Sequence, residues 1–379
     1  MARLWLCVFP LVWVSAQTVC DPVSFGAKHD GVTRDTASIQ KAIDQCAGKG
    51  GVVRLSHGVW LSAPLTLKSK ITLTLDAGAR LQATDVDADY ERTGAKSRRP
   101  FISANDAVDI AITGPGVIDG AGQRWWTAFR AAQKAGKKEE VTRPRLIQMN
   151  RSKHLRFENL TLQNAAMFHL VQNECEDVLI SGVTIRAPAD SPNTDGIDPA
   201  NSRNIRIEKC DIDTGDDNIA IKAGTDGVTI SDCVFGNGHG VSIGSETDKG
   251  GVHNVTVERC KFHNTRNAIR IKSYRGRGGE VSKIVYRDLE MVDVNPALIF
   301  TAYYPKIPKT DEVQPVTEST PWFHDIKVIN LRATVTKNAG AIIGLPEKPF
   351  TDIVLQNVHI ESAKPLEIRN ATVKQLPGR

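Results

Sequence analysis

Past Val14 the sequence has no apolar stretch long enough to cross a bilayer as a helix, so no mature membrane span is expected. Aromatic residues are scarce, at 6%. None of them interleaves with a basic stripe, which argues against a nucleic-acid surface. Neither CxxC nor CxH spacing occurs among the 7 cysteines, so a zinc site is not expected. A strong charge bias is missing too. The formal net charge is only +5, which suits either an ordinary solvated surface or a basic groove for an anionic polymer. Helical periodicity is confined to one clear segment. There Asp35 or Thr36 can cap a helix, and Ile39, Ala42, Ile43 and Cys46 form its apolar stripe before Gly48 ends it.

What the chain does contain is repetition. Apolar-x-apolar pairs recur at Leu155/Phe157, Val178/Ile180, Ile205/Ile207, Val228/Ile230, Val255/Val257, Ile284/Tyr286, Ile326/Val328 and Ile353/Leu355. Their spacings are 23, 27, 23, 27, 29, 42 and 27 residues. Period-two alternation predicts strands, and its return every 20–30 residues without a helical pattern between predicts the coils of a parallel β-helix. The 30 glycines and 18 prolines fit the many corners such a solenoid needs. The expected fold is therefore all-β: a single-stranded, right-handed parallel β-helix with a short N-terminal helix covering the open end of its core. A length of 379 residues is compatible with one such domain, because solenoids grow lengthwise. The 42-residue gap predicts a long loop near 304–321. Segments 85–100 and 124–145 read as irregular, the second with a basic, helix-prone run after its tryptophans, and both are expected to be solvated loops or walls of a cleft. The pair Trp125-Trp126 suits sugar stacking there, or packing on the flank.

Asp195, Asp217 and His239 each stand two residues before a β-branched apolar residue, and Asn267 continues the series at steps of 22, 22 and 28 residues. Stacked coils lie about 4.8 Å apart, so these side chains form one external column. Asp216 precedes Asp217 and points differently. Crowded carboxylates raise one another's pKa, and a protonated acid beside an ionised base is what glycoside hydrolysis requires. A calcium site or Asp-capped turns are the structural alternatives. His239, flanked by Gly238 and Gly240, is placed to orient the acid or tune it. In Ala268-Ile269-Arg270-Ile271-Lys272 the two isoleucines alternate inward, so Arg270 and Lys272 share the outer face. Two adjacent cations repel unless an anion joins them, and a substrate carboxylate is the expected counterion. The loop Tyr274–Gly279 either adds anion contacts or only turns the chain.

Asn193-Thr194-Asp195, Gly215-Asp216-Asp217, Gly238-His239-Gly240 and Arg270-Ile271-Lys272, in this order, resemble the four signatures of the polygalacturonases, family 28 of the glycoside hydrolases. The resemblance implies hydrolysis of α-1,4 links between galacturonate units of pectin, with inversion and without a metal or other cofactor. It implies Asp216 as general acid, with Asp195 and Asp217 holding and deprotonating the water. His239 would support the acid, and Arg270 and Lys272 would bind the galacturonate carboxylate, with Asn193 also in the site. It places a tyrosine one coil further on, for which Tyr303 and Tyr304 are candidates and Tyr303 is preferred. Rivals are an exo-acting or rhamnogalacturonan-cutting member of the same family, a calcium-dependent pectate lyase, and a β-helix that only binds polysaccharide. An unsaturated product or chelator sensitivity would mark the lyase, and lack of turnover the binder. The expected partner is an anionic polysaccharide, with the protein monomeric and engaging neither membrane nor nucleic acid.

Arg3, the apolar run Leu4 to Val14, and Ser15-Ala16 read as a secretion signal cleaved after Ala16, leaving a catalytic domain over 17–379 and a secreted product. With Cys7 removed, six cysteines remain. Cys20 and Cys46 are the candidates for a disulfide. Cys210, Cys233 and Cys260 sit at matched repeat positions, either as a buried ladder or as bridged partners. Asn150, Asn159, Asn254 and Asn370 begin glycosylation sequons.

Overall fold

The computed structural model describes residues 17–95, 97–137, 140–248 and 250–378. The expected secretion signal therefore lies outside the described residues. The alternating pairs do form strands, and they stack in register. Leu155 pairs with Val178, Val178 with Ile205, Ile205 with Val228, Val228 with Val255 and Val255 with Ile284, every step parallel. The series continues through Ile326 to Ile353. Each of these residues is buried, because the pleat turns alternate side chains into one continuous apolar stack. Corners fall where the backbone turns left-handed, as at Asn159 (φ 55°) and Asn201 (φ 49°), a conformation asparagine tolerates better than most residues. The result is a right-handed parallel β-helix.

One face of the solenoid is an 11-stranded parallel sheet. Four of its neighbouring strands carry the residues of interest: β1 (Ile197–Ala200), β2 (Ile219–Ile221), β3 (Val241–Gly244) and β4 (Ile269–Lys272). Their first residues, Ile197, Ile219, Val241 and Ile269, are Cα partners in succession. All four are buried, which fixes the outward direction of the residues beside them.

Helix α1 (Thr36–Cys46) buries Ile39, Ala42, Ile43 and Cys46 against the first coil. It ends at Cys46 with Ala47 as its C-cap, and Gly48 follows in the left-handed conformation that stops the helix, as the sequence suggests. Asp35 stands at its N-cap position but does not cap it. Its carboxylate instead accepts the backbone N–H groups of Lys28 (2.7 Å) and His29 (2.9 Å), tying the N-terminal segment to the helix. Cys20 and Cys46 form the expected disulfide. Cys210, Cys233 and Cys260 are buried free thiols, so the ladder reading holds and the bridged one does not.

Two irregular segments turn out to be structured. Within 85–100, a two-stranded antiparallel pair joins Arg92–Gly94 to Ser97–Arg98. Buried Arg98 anchors it by donating to Thr142 and to the Tyr90 carbonyl. In the second, α2 (Gln123–Lys134) buries both tryptophans. Trp126 donates to the Ala165 carbonyl at 3.1 Å, and Trp125 meets Tyr90 edge-on. The sugar-stacking alternative for this pair is thereby corrected. An amphipathic helix had to bury its indoles against the flank of the solenoid, and the sequence alone left that choice open. The long loop is present, with no helix or strand between Thr301 and Trp322 among the described residues.

Candidate active site

Asp195, Asp217, His239 and Asn267 each stand two residues before a registered strand position, so stacking places them in one column. Asp217 is the hub. Its side chain is almost fully enclosed, at 2% exposure. Oδ2 accepts from Lys272 Nζ at 2.9 Å, and Oδ1 accepts from Ser242 Oγ at 2.9 Å and from Arg270 Nη2. The anion that joins the two outward cations in this structure is thus an aspartate of the protein itself. Burial pushes the Asp217 carboxyl up, but Lys272, Arg270 and His239 outweigh it and hold it well below the usual carboxylate range. Burial pulls the Lys272 ammonium below its ordinary value, against the opposing pull of Asp217.

Asp216 is the more open of the neighbouring pair, its side chain 27% exposed. The Asp217 N–H donates to its Oδ1 at 3.0 Å, and Asn193 Nδ2 reaches its Oδ2 at a long 3.4 Å. His239 Nδ1 lies 3.3 Å from Asp216 and 3.4 Å from Asp217, and 3.1 Å from Arg270 Nη2. Burial raises the Asp216 carboxyl, yet the His239 contact and Lys272 bring it below its ordinary value despite Asp217. The glycines around His239 serve the stacking of the coils. A Cβ on Gly240 would stand 2.0 Å from the Ala268 carbonyl oxygen, and one on Gly238 would stand 2.3 Å from that of Asp216.

Asp195 is the contrast. It is buried with no cation bonded to it, and its Oδ1 meets no hydrogen-bond donor among the described residues. Burial, then the charges of Asp198, Asp216 and Asp217, raise it well above the usual range. The three acids are therefore not alike: Asp195 is held above the ordinary carboxylate range, and Asp216 and Asp217 below it.

The two candidate tyrosines diverge. The Tyr303 hydroxyl donates to Asp311 Oδ2 at 2.7 Å, with Arg275 bridging Asp311 and Glu347 alongside. That ion-pair cluster absorbs Arg275, so this part of the Tyr274–Gly279 loop pins the chain at 304–321. The Tyr304 ring lies over Lys272 Nζ at 5.1 Å and is 36% exposed, which brings Tyr304 rather than the preferred Tyr303 beside the column.

Several participants escaped the sequence reading. Arg143 is buried under Phe129 and donates to Asn193 Oδ1 at 2.7 Å, holding it against Asp216. Burial lowers its guanidinium to about 10. His169 is fully enclosed, its Nδ1 at 2.9 Å from the Asp195 carbonyl oxygen, and burial lowers it to about 4, so it is a neutral prop. Ser242 links Asp217 to Arg270 Nε (3.0 Å), and Asp198 and Lys222 lie close to the same charges. Alternation could have found Ser242 and Asp198, since Val241/Ile243 and Ile197/Pro199 face inward around them. Asp216, Asp217 and His239 offer ligand atoms within 4.8 Å of one another, the spacing of a metal site. Two cations already neutralise Asp217, so this cluster is charge-compensated as it stands. No helix among the described residues is long and apolar enough to cross a membrane.

Comparison with known proteins identifies the family. Residues 53–376 match the model of the family described as glycosyl hydrolases family 28. An endo-polygalacturonase of Pectobacterium carotovorum subsp. carotovorum is 36% identical over 366 residues, covering 90% of this chain and 87% of that protein. The structure of a polygalacturonase from Erwinia carotovora ssp. carotovora superposes with a TM-score of 0.80 at 33% identity, covering 95% of this chain and 97% of that one. A hyperthermoactive exopolygalacturonase from Thermotoga maritima also gives a TM-score of 0.80, at 25% identity, covering 95% and 92%. With the family model spanning most of the solenoid, the chain belongs to glycosyl hydrolase family 28 and is a glycoside hydrolase.

Proposed function

We propose that the protein is a secreted polygalacturonase that cleaves α-1,4-galacturonosyl linkages of polygalacturonate and pectin with inversion. The observation that carries this reading is the column itself: three carboxylates and an imidazole gathered by strand register beside two cations on the same face. Asp216, the open acid, protonates the departing glycosidic oxygen as the bond to the anomeric carbon breaks. Asp195 and Asp217 hold a water whose oxygen attacks that carbon from the opposite side while its proton passes to a carboxylate. Asp216 rests below its ordinary pKa, so it must gain its proton as substrate binds. A galacturonate carboxylate brings a negative charge beside it and draws on Lys272 and Arg270, both of which raise the acid. His239 contacts both carboxylates and supports the acid. Asn193, fixed by Arg143, orients Asp216, and the Tyr304 ring over Lys272 is suited to face a sugar.

Endo attack is the proposed mode, since the relative at 36% identity bears that name. Secretion fits the leader-like start of the sequence and a disulfide of the kind that persists in oxidising compartments. The test is Asp216→Asn. It should leave the fold intact by circular dichroism while reducing-sugar release from polygalacturonate falls by about 10² or more. Product anomers read by proton NMR should be inverted. Undiminished release in the variant, or an unsaturated product from wild type, would remove the assignment.

A further inference from the structure

Asp198 is not among the four signatures, yet it lies on β1 three residues after Asp195, close enough for the two charges to act on each other, and is 3% exposed. Neither of its oxygens meets a hydrogen-bond donor among the described residues, and Asp195 Oδ1 is in the same position. Three enclosed carboxylate oxygens without donors cannot all carry charge at once, because an unpaired buried charge is far costlier than a shared proton. The groups facing the pair do not remove that difficulty. Asp216 and Asp217 of the next coil add negative charge, and His169 presents a neutral ring to the Asp195 backbone. Lys222 acts on both carboxylates, Arg145 on Asp198 and Arg143 on Asp195, each through space without a hydrogen bond to either carboxylate. Lys222 also leans toward Glu246 at 3.9 Å. The contrast with Asp217, which two cations and a hydroxyl satisfy, is complete.

We infer that Asp198 is a positioning residue that shares one proton with Asp195 and so keeps the Asp195 carboxylate basic enough to take the proton of the attacking water. This rests on the polygalacturonase reading and deepens it. Asp217, clamped by Arg270 and Lys272, is a weak base suited to orienting the water. Asp195 takes the proton as the water oxygen bonds to the anomeric carbon, and the pair passes from one proton to two. The electron pair of the broken bond leaves on the glycosidic oxygen, which accepts the proton of Asp216. One proton then returns from the pair to solvent, and Asp216 is recharged when the next substrate binds. Burial, opposed by Lys222, brings Asp198 up to about 7.

The experiment compares wild type with Asp198→Asn and Asp198→Glu in pH profiles of polygalacturonate hydrolysis and in the infrared carbonyl band of protonated carboxyls at about pH 5.5, where exposed carboxyls are ionised. In Asp198→Asn the like-charged neighbour is gone, so the acid limb of kcat/KM should move down by about one pH unit and kcat should fall about tenfold or more, with KM little changed. Asp198→Glu should restore the limb toward its original position. Lost packing alone would lower activity without moving the limb, so an unmoved limb or an unchanged kcat overturns the inference. If the variants fail to fold, the wild-type spectrum decides: absence of a protonated buried carboxyl at that pH overturns the inference, and its presence supports it. If wild type releases no reducing sugar, the polygalacturonase reading fails, while the infrared arm still reports on the shared proton.

Discussion

Replacing Lys272 with methionine keeps most of the side-chain volume and removes the charge that meets Asp217 Oδ2 at 2.9 Å. At an effective dielectric of about 20, that attraction amounts to about 6 kcal/mol before desolvation is counted. The relief of burying an ammonium and the retention of Arg270 offset part of it. Breaking a buried pair by removing one partner is expected to destabilise by about 3–5 kcal/mol. The pH dependence has a definite sign. Asp217 is held below its unfolded value, so the pair's stabilisation is complete above about pH 4 and fades as the pH falls through the lower folded value. Urea unfolding of wild type and Lys272→Met at pH 7 and again near pH 3 should show a gap that narrows at the lower pH. On polygalacturonate the variant should lose kcat as well as gain KM, because the cation positions a catalytic carboxylate besides meeting substrate. A gap below about 1 kcal/mol at pH 7 would refute the reasoning. So would a rise in KM with kcat and stability untouched, since that is the behaviour of a free substrate clamp.

Two further outcomes follow from the same geometry. Tyr304→Ala should raise KM for oligogalacturonates by about tenfold with little loss of stability, whereas Tyr303→Ala should act through Asp311 and the 304–321 loop and appear mainly as a lower unfolding temperature; the reverse pattern in kinetics and calorimetry would return the cleft role to Tyr303. Ile271→Ala opens a void between Ile243 and Phe300 directly beneath Arg270 and Lys272, and denaturant titration should find it about 2–5 kcal/mol less stable, with a smaller loss telling against a close-packed stack.

Much of this was legible in the chain because a solenoid writes its geometry into a short period. The apolar pairs from Leu155 to Leu355 fix both strand and register, since a slip of one residue would turn every buried side chain to solvent. The same phase forces Asp195, Asp217 and His239 into line, so their proximity follows from spacing alone. The disulfide was readable from the placement of Cys20 and Cys46. Other features were not. Trp125 and Trp126 sit on a helix whose apolar side could meet either a sugar or the flank, and only the neighbouring Tyr90 and Ala165 decide for the flank. Tyr303 and Tyr304 are adjacent, and the chain leaves the strand between the sheet and the loop, where alternation no longer assigns a face.

The sequence by itself determined the coil, the register and the column, because each depends on a periodicity of side chains along the backbone. Only the tertiary structure decided where the charges end: that Arg270 and Lys272 close on Asp217, that Asp195 and Asp198 are left without donors, and that Arg143 reaches across to Asn193. Those outcomes depend on the reach of long side chains between coils and on which groups water is kept from, and neither quantity is periodic.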